Sequence, residues 1–298
     1  MFATLARAIW GSADELLEDW PMQRMEAQLV EALADEPTAG RGKDDLVVII
    51  MCGSLAPVHL GHRAVLESAK TSLNSRPNTR VVGGFLSATH GPGYVNDKMA
   101  RKGYAPIADR HRVGMAKALL SESTWAAASA WEVAQTAPPA LLRTWGQHDQ
   151  RPQVILARID GDGPEVNTNG FNDFPVVCVA AKYMITKLVR NNPKIARAAE
   201  RLKFWFACGA DHADLCHLFS RQPTWADGVV VLGRPGTHGP ATTTATDWYR
   251  YVALPDDGKD ISSTAIRDRV MEGESIEDVV GPHVQKYIAN NRVTFLRK

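Results

Sequence analysis

Runs of apolar residues alternate with amphipathic stretches along most of the chain. Five runs rich in β-branched or aromatic residues predict strands that are buried on both faces of a parallel sheet: LVVIIMC, TRVVGGFLSA, QVILARI, KFWFACG and GVVVLG. Helical patterns lie between several of them, including HRAVLESAKTSL, ADRHRVGMAKALLSES and ADLCHLFSR. Strands that alternate with helices predict βαβ units. We therefore expect an α/β fold, a doubly wound Rossmann-like parallel sheet with helices on both faces, which binds ligands at the carboxyl ends of its strands.

Two regions stand apart from this alternation. Residues 12–34 predict an amphipathic helix, whose apolar side would contain Leu16, Leu17, Trp20, Met25, Leu29 and Leu33. We expect residues 1–45 to form an N-terminal helical extension and a linker, packed on the body of the protein or on a second copy of the chain. Residues 46–298 are expected to form one domain. The polar, turn-rich segment 160–175 predicts a surface insertion.

Composition narrows the classes of function. The chain has 298 residues, with 34 Lys plus Arg against 33 Asp plus Glu and a formal charge of +1. This balance argues against a general nucleic-acid binder, so any bound polyanion should be small and held locally. No apolar run reaches the roughly 18 residues of a membrane helix. The four cysteines form no C-x-x-C pair, which is typical of a reducing compartment. We expect a cytoplasmic protein, with the nucleus as the alternative location.

The first candidate for chemistry is the stretch CGSLAPVHLGH, residues 52–62, directly between the first predicted strand and the first predicted helix. Gly53 allows the backbone a sharp turn and a close approach to a ligand. His59 and His62 are three residues apart, so both imidazoles would lie on one side of the helix N-terminus, where N–H donors can hold a phosphate. The loop matches neither G-x-x-x-x-G-K-[ST] nor G-x-G-x-x-G. A zinc site would need further ligands, and no Cys, Asp or Glu lies at a spacing from these histidines that is typical of zinc ligands.

A second polar stretch, DISSTAIR at residues 260–267, begins a helix near the other end of the chain. Ser262, Ser263 and Thr264 can cap the free N–H groups of that helix or hydrogen-bond an anion. Arg267, about one turn further, can reach the same anion with its planar guanidinium group. By itself this is an ordinary capped helix with a surface arginine. Its combination with H-x-G-H is far more specific.

H-x-G-H after the first strand, followed later by ISSTAIR, resembles the nicotinamide-mononucleotide adenylyltransferases of the HxGH nucleotidyltransferase superfamily. Further matches are Gly103 to Pro106 with His111-Arg112, Trp125, Trp131-Glu132, and Cys208 to Asp211. The resemblance runs in order from about Leu46 to Phe295. Eukaryotic members begin G-S-F-N-P, where this chain has Gly53-Ser54-Leu55-Ala56-Pro57. These two substitutions remove an aromatic ring and an amide.

The resemblance implies an enzyme of NAD biosynthesis that transfers AMP from ATP to nicotinamide mononucleotide, or to the nicotinic acid form, and releases pyrophosphate. The attacking phosphate is already ionised at neutral pH, so no general base is required. The protein must align two anions and neutralise the charge that grows on pyrophosphate. Mg²⁺ or another divalent cation would be held through the phosphates. The implied partners are ATP, nicotinamide mononucleotide, NAD and pyrophosphate, with a homo-oligomer as an option and with no nucleic acid or membrane.

The resemblance also implies roles for particular residues. The residues that would hold the reacting phosphates are His62, His59 and Arg267. Those that would line ATP and NAD are Gly53, Ser54, Leu55, Arg101, Lys102, Gly209, Asp211, Ser263 and Thr264. Trp131 and Trp225 would form the nicotinamide pocket, with packing in the core as the alternative for both. For Arg101 and Lys102 the alternative is a solvated charge cluster in a glycine-rich loop.

Two other classes of protein compete with this interpretation. One is another HxGH nucleotidyltransferase, such as a pantetheine-phosphate adenylyltransferase or a cytidylyltransferase. The Trp131-Glu132 and Gly209-Ala210-Asp211 matches favour the NAD-forming enzyme. The other is a non-catalytic nucleotide-binding or chaperone protein on the same fold. The presence of His59, His62 and Arg267 argues against an inactive site.

Overall fold

Six parallel strands form the centre of the molecule. The computed structural model describes residues 20–35, 44–134, 174–220, 222–233, 246–253 and 261–297. Its strands are β1 (Asp45–Gly53), β2 (Thr79–Ala88), β3 (Ala126–Ser129), β4 (Leu202–Gly209), β5 (Gly228–Gly233) and β6 (Tyr249–Ala253). They pair in the order β3-β2-β1-β4-β5-β6, and every pair is parallel. The predicted doubly wound α/β sheet is confirmed, and its strand order reverses at β1, where ligands bind in such folds.

Burial on both faces explains why β1 is a continuous apolar run. Val47 and Ile49 pack into the core on one side of the sheet, and Val48 and Ile50 pack into the core on the other side. All four are at most 1% exposed. Because alternate side chains of a strand point to opposite faces, a central strand needs apolar residues at every position.

Helices cover both faces of the sheet, as predicted. They are α1 (Gln23–Ala34), α2 (Leu60–Asn74), α3 (Asn96–Arg101), α4 (Asp109–Leu119), α5 (Trp131–Ala134), α6 (Phe174–Asn191), α7 (Ala210–Leu215), α8 (Ser263–Met271), α9 (Glu277–Val280) and α10 (Pro282–Asn290). A π-helical turn spans Gly91–Val95, and a 3₁₀ turn spans Ala196–Arg201. Helices α1 and α6 contribute to one core, and α2, α4 and α10 contribute to the other. No helix in the described part of the chain is long and apolar enough to cross a membrane.

Several predicted elements are shorter than expected or lie outside the described residues. The N-terminal helix begins at Gln23, and the description starts at residue 20. The predicted strand QVILARI and most of the predicted 160–175 insertion lie outside the described ranges. Phe174 and Pro175, at the end of that segment, begin α6. The division into residues 1–45 and 46–298 stays a prediction.

The N-terminal helix packs directly on the sheet. Met25 is 1% exposed, and its Cγ lies 2.9 Å from the point where a Cβ on Gly83 of β2 would stand. Trp20 is fully buried and meets the Phe85 ring edge to face at 5.2 Å. The Arg24 guanidinium donates a 2.7 Å hydrogen bond to the carbonyl of Leu120. The helix is therefore part of the main hydrophobic core.

This packing predicts unequal effects of two substitutions on α1. Met25→Ala should lower the free energy of unfolding by about 2–5 kcal/mol, because it opens a cavity under β2. Val30→Ala, at a position that is 45% exposed, should change it by no more than about 0.5 kcal/mol. Urea denaturation of both variants measures the difference. Equal, small effects would mean that α1 does not pack on the sheet.

Candidate active site

The loop after β1 forms the floor of the candidate site. Leu55 adopts a left-handed conformation with φ of 48°, and the Ala56–Pro57 peptide bond is cis. The Arg112 side chain is fully buried beneath this loop and donates a 2.8 Å hydrogen bond to the Ser54 carbonyl. Arg112 also forms a 2.6 Å ion pair with Asp109. The buried arginine thus holds the loop in a conformation that leucine rarely adopts.

His59 and His62 lie together where α2 begins. His59 is the N-cap, and its backbone N–H donates a 3.2 Å hydrogen bond to Nδ1 of His62. Because Nδ1 is the acceptor, the ring proton of a neutral His62 lies on Nε2. That nitrogen is 3.8 Å from the point where a Cβ on Gly53 would stand. The sequence therefore presents a fixed N–H donor beside the glycine turn.

Gly61 is required for the placement of the first histidine. A Cβ at this position would lie 2.9 Å from both Nδ1 and Cε1 of His59. The two imidazole centroids are 4.0 Å apart. The ring of His59 therefore packs against the bare backbone of Gly61, with the ring of His62 beside it.

The N-terminus of α8 is attached to the β1 loop. Ser263 Oγ donates a 2.9 Å hydrogen bond to the carbonyl of Pro57, 206 residues away in sequence. Arg267 is 3% exposed and donates from Nη1 to the carbonyl of Ala56 and from Nη2 to Thr264 Oγ1. Ser262 caps the helix, since its Oγ accepts from the Ala265 N–H at 3.2 Å. The two motifs that the sequence singled out therefore meet.

A network of contacts around Tyr104 also holds the Arg267 side chain in place. The Arg267 guanidinium lies 4.2 Å from the Tyr104 ring centroid. Tyr104 Oη donates a 2.6 Å hydrogen bond to Asp268, which also pairs with Arg297 at 3.2 Å. This hydrogen bond raises the pKa of Tyr104 and lowers the pKa of Asp268. Sequence reasoning missed the network because its members belong to a loop, a helix and the C-terminal segment.

Two lysines from α3 and its C-cap complete the wall. Lys98 Nζ donates to Ser54 Oγ at 3.2 Å, and Lys102 Nζ donates to Thr264 Oγ1 at 3.5 Å. Burial lowers the pKa of Lys98, and the positive charges of Lys102, Arg267 and Arg101 lower it further. Lys98 was not predicted from the sequence, although its four-residue spacing from Lys102 is a signal that could have found it.

These elements surround a cavity of about 770 Å³, a volume in the range of ligand-binding sites. The predicted residues that line it are Ser54, Leu55, His59, His62, Lys102, Gly209, Asp211, Ser263, Thr264 and Arg267. Among the residues that were not predicted, Lys98 and His212 also line it, as do the carboxylates Glu67 and Asp278. Burial lowers the pKa of His212, and the charge of Lys98 lowers it further. Gly53 lies beside the cavity next to His62, while Arg101 is exposed and does not form part of the wall.

Both tryptophans of the predicted nicotinamide pocket lie in the hydrophobic core. Trp131 is 1% exposed and stacks on Trp20 with ring centroids 6.2 Å apart. Trp225 is 6% exposed and packs edge to face against Phe174 and Phe206. Neither tryptophan lines the cavity. Their positions agree with the alternative prediction, in which both pack in the core. Their contact with a nicotinamide ring stays a prediction.

The donor set of the cavity suits a phosphorylated ligand. Lys98, Lys102 and Arg267 supply positive charge to its wall, and the histidine pair lies at the N-terminus of α2. Helix N-termini and cationic side chains favour anions. Asp211 offers a carboxylate that can accept hydrogen bonds from hydroxyl groups. Among the described residues, no three His, Cys, Asp or Glu side chains are grouped so that they could hold a metal ion.

H-x-G-H lies at the turn between β1 and α2 of the parallel sheet, which is where the resemblance to the HxGH nucleotidyltransferases predicts it. Curated relatives define the group more closely. The chain is 26% identical over 272 residues to a nicotinamide-nucleotide adenylyltransferase of Drosophila melanogaster, covering 83% of this chain and 61% of the relative. It is 23% identical over 263 residues to nicotinamide/nicotinic acid mononucleotide adenylyltransferase 1 of Bos taurus, covering 83% and 88%. The chain is a homologue of these adenylyltransferases.

Other relatives match a shorter part of the chain, and the solved structures match it with low TM-scores. The Saccharomyces cerevisiae nicotinamide/nicotinic acid mononucleotide adenylyltransferase 2 is 33% identical over 91 residues, which are 30% of this chain and 21% of the relative. No protein-family model matches. Two solved structures of the Plasmodium falciparum nicotinic acid mononucleotide adenylyltransferase cover 83% of this chain and 96% of theirs, at 12% and 15% identity and TM-scores of 0.45 and 0.42. Since TM-scores below 0.5 do not establish a common fold, the relationship depends on the curated sequences and the motifs.

The Tyr104 network predicts a pH-dependent difference in stability. Because the pKa of Asp268 is lowered in the folded protein, its contribution is present above the ordinary carboxyl pKa of about 4 and is lost as the pH falls through the lowered value. Tyr104→Phe removes the hydrogen bond and keeps the ring beside Arg267. The Tm of this variant should lie below that of the wild type at pH 6–7, and the gap should narrow below about pH 4. A gap that stays constant down to pH 2 would contradict the assignment.

Proposed function

We propose that the chain transfers the adenylyl group of ATP to nicotinamide mononucleotide, with the nicotinic acid form as a second acceptor. The observation that carries this proposal is the junction of two distant motifs at one cavity. Ser263 and Arg267 of ISSTAIR hydrogen-bond the backbone carbonyls of Pro57 and Ala56, within the loop that leads to His59 and His62. The curated relatives that cover most of this chain carry names for this activity.

The reaction exchanges one phosphoanhydride bond for another. An oxygen of the mononucleotide phosphate forms a bond to the α-phosphorus of ATP, while the bond from that phosphorus to the bridging oxygen breaks and its electron pair leaves with pyrophosphate. The nucleophile is ionised, so the protein needs to abstract no proton. Its task is to align two anions and to stabilise charge on the leaving group.

The side chains of the cavity can perform this task. His62 Nε2–H, fixed by the backbone bond at Nδ1, would donate to an ATP phosphate beside the Gly53 turn. Lys102 and Arg267 would neutralise charge on the triphosphate, and the Thr264 hydroxyl that both of them contact would donate a hydrogen bond to it. Arg267 also keeps the loop in place, because it donates to the Ala56 carbonyl.

The nucleoside ends of the substrates would contact other residues. Gly209 ends β4, and Asp211 lies in the first turn of α7, where its carboxylate would accept hydrogen bonds from the adenosine ribose hydroxyls. A divalent cation such as Mg²⁺ would enter with ATP, held by phosphate oxygens and water, and would supply charge neutralisation on pyrophosphate. Trp131 and Trp225 remain the proposed contacts of the nicotinamide ring, and Arg101 remains a proposed phosphate contact. All four cysteines are free thiols, which supports a reducing compartment such as the cytoplasm.

The proposal predicts that the purified chain, supplied with ATP, nicotinamide mononucleotide and Mg²⁺, forms NAD and pyrophosphate. His62→Ala should lower kcat at least about 100-fold, because it removes the fixed donor to the reacting phosphates. Liquid chromatography of the dinucleotide, run with both the amide and the acid substrates, measures both results.

His283→Ala is the matched control, since His283 is 49% exposed and pairs with Glu122 on the surface. This variant should keep wild-type turnover. Circular dichroism should show that both variants are folded. If no mononucleotide gives a dinucleotide, the proposed function is wrong; if His62→Ala turns over like the wild type, the role of His62 is wrong.

A further inference from the structure

Lys98 lines the cavity, although the family resemblance assigned the basic role of this loop to Arg101 and Lys102. Its ammonium group is 3.2 Å from Ser54 Oγ and 5.6 Å from the Tyr94 ring centroid. Lys98 and Lys102 are four residues apart at the end of α3, so they lie on the same side of the helix. Arg101 is exposed and outside the cavity wall.

The position of Lys98 is electrostatically unfavourable without a ligand. Its side chain is half-buried, and the positive charges of Lys102 and Arg267 are close enough to lower its pKa, together with burial and Arg101. Within the described ranges, no carboxylate lies at ion-pair distance from its ammonium group. A partly desolvated cluster of like charges is stabilised when an anion binds.

The position of Lys98 between two groups of donors indicates which anion this is. On one side is the Gly53 to Leu55 loop, which Lys98 touches through the Ser54 hydroxyl. On the other side, Lys102 and Arg267 both hydrogen-bond Thr264 at the N-terminus of α8. Both groups line the same cavity. A chain of phosphates that extends from the loop to α8 would satisfy both, with Lys98 at the junction.

We propose that Lys98 is a catalytic residue of this site, which with the Ser54 hydroxyl binds the phosphate at which adenylyl transfer takes place. The identity of that phosphate rests on the proposed function, in which the loop lines the dinucleotide and α8 holds the pyrophosphate portion of ATP. Lys98 donates a hydrogen bond to the α-phosphate or its bridging oxygen and stays protonated. The electron pair of the broken bond leaves with pyrophosphate, so Lys98 stabilises the charge that develops there.

The experiment compares the variants Lys98→Met, Arg101→Met and Lys117→Met. Lys117 is exposed on α4 and is the control for loss of a lysine charge. Isothermal titration gives the affinity of each variant for ATP with Mg²⁺ and for adenosine. Lys98→Met should weaken ATP binding at least about tenfold and leave adenosine binding unchanged, because a charge-assisted hydrogen bond to phosphate is lost. Arg101→Met should have a smaller effect, Lys117→Met none, and Lys98→Arg should restore part of the loss.

Single-turnover measurements then test the catalytic role. At saturating ATP, Lys98→Met should lower the rate of NAD formation at least about tenfold relative to Lys117→Met. Equal ATP affinities of Lys98→Met and wild type, equal losses for ATP and adenosine, or a larger loss in Arg101→Met than in Lys98→Met would each overturn the proposal. If the wild type forms no dinucleotide but binds ATP in a Lys98-dependent way, the proposed function and the catalytic role fail and only the phosphate contact remains.

Discussion

The candidate site depends on buried guanidinium groups that hold the backbone carbonyls of the loop after β1. Arg112 donates to the carbonyl of Ser54, and Arg267 donates to that of Ala56, while Ser263 donates to that of Pro57. Each hydrogen bond to a charged group contributes about 1.5–3 kcal/mol, and removal of either arginine would leave a buried carbonyl unsatisfied. These bonds keep Leu55 in the left-handed region and bring α8 to the N-terminus of α2. They thereby place residues more than 200 positions apart in sequence around one cavity.

The near-neutral composition of the chain conceals a local concentration of charge. The formal charge is only +1, yet Lys98, Lys102 and Arg267 all line one cavity. This arrangement lowers the stability of the free protein, because burial and mutual repulsion disfavour the charged forms of the three side chains. A polyanionic ligand relieves that repulsion, so the same arrangement favours its binding. Asp268 offsets part of this cost next to Arg267 through its bonds to Tyr104 and Arg297. The chain therefore combines weak overall charge with three cationic side chains in the wall of one cavity.

Patterns among neighbouring residues predicted most of the strands and helices. The features that were missed depend on contacts between residues far apart in sequence. The strands β1, β2, β4 and β5 were predicted from their apolar runs, and Ser262 was found to cap α8 because capping needs only neighbouring residues. The strand β3 is the short sequence AAAS, whose small residues carry no β-branched signal, and its position depends on pairing with β2. Lys98 was missed because the sequence of the short helix α3 does not show which of its side chains face the cavity. That is decided by its packing on the distant loop that contains Ser54. Trp131 and Trp225 could equally have lined a pocket or the core, since an isolated tryptophan does not indicate which surface it contacts.

The central claim is that the two motifs together bind the phosphates of the reacting nucleotides in the cavity between α2 and α8. A crystal structure of the chain with bound NAD tests this most directly. The account predicts that the phosphates lie between the Gly53 turn and α8, with His62 Nε2 and Lys98 Nζ at hydrogen-bond distance from phosphate oxygens and with the adenosine ribose at Asp211. A dinucleotide bound elsewhere on the sheet, or with its phosphates away from both His62 and Lys98, would contradict the account.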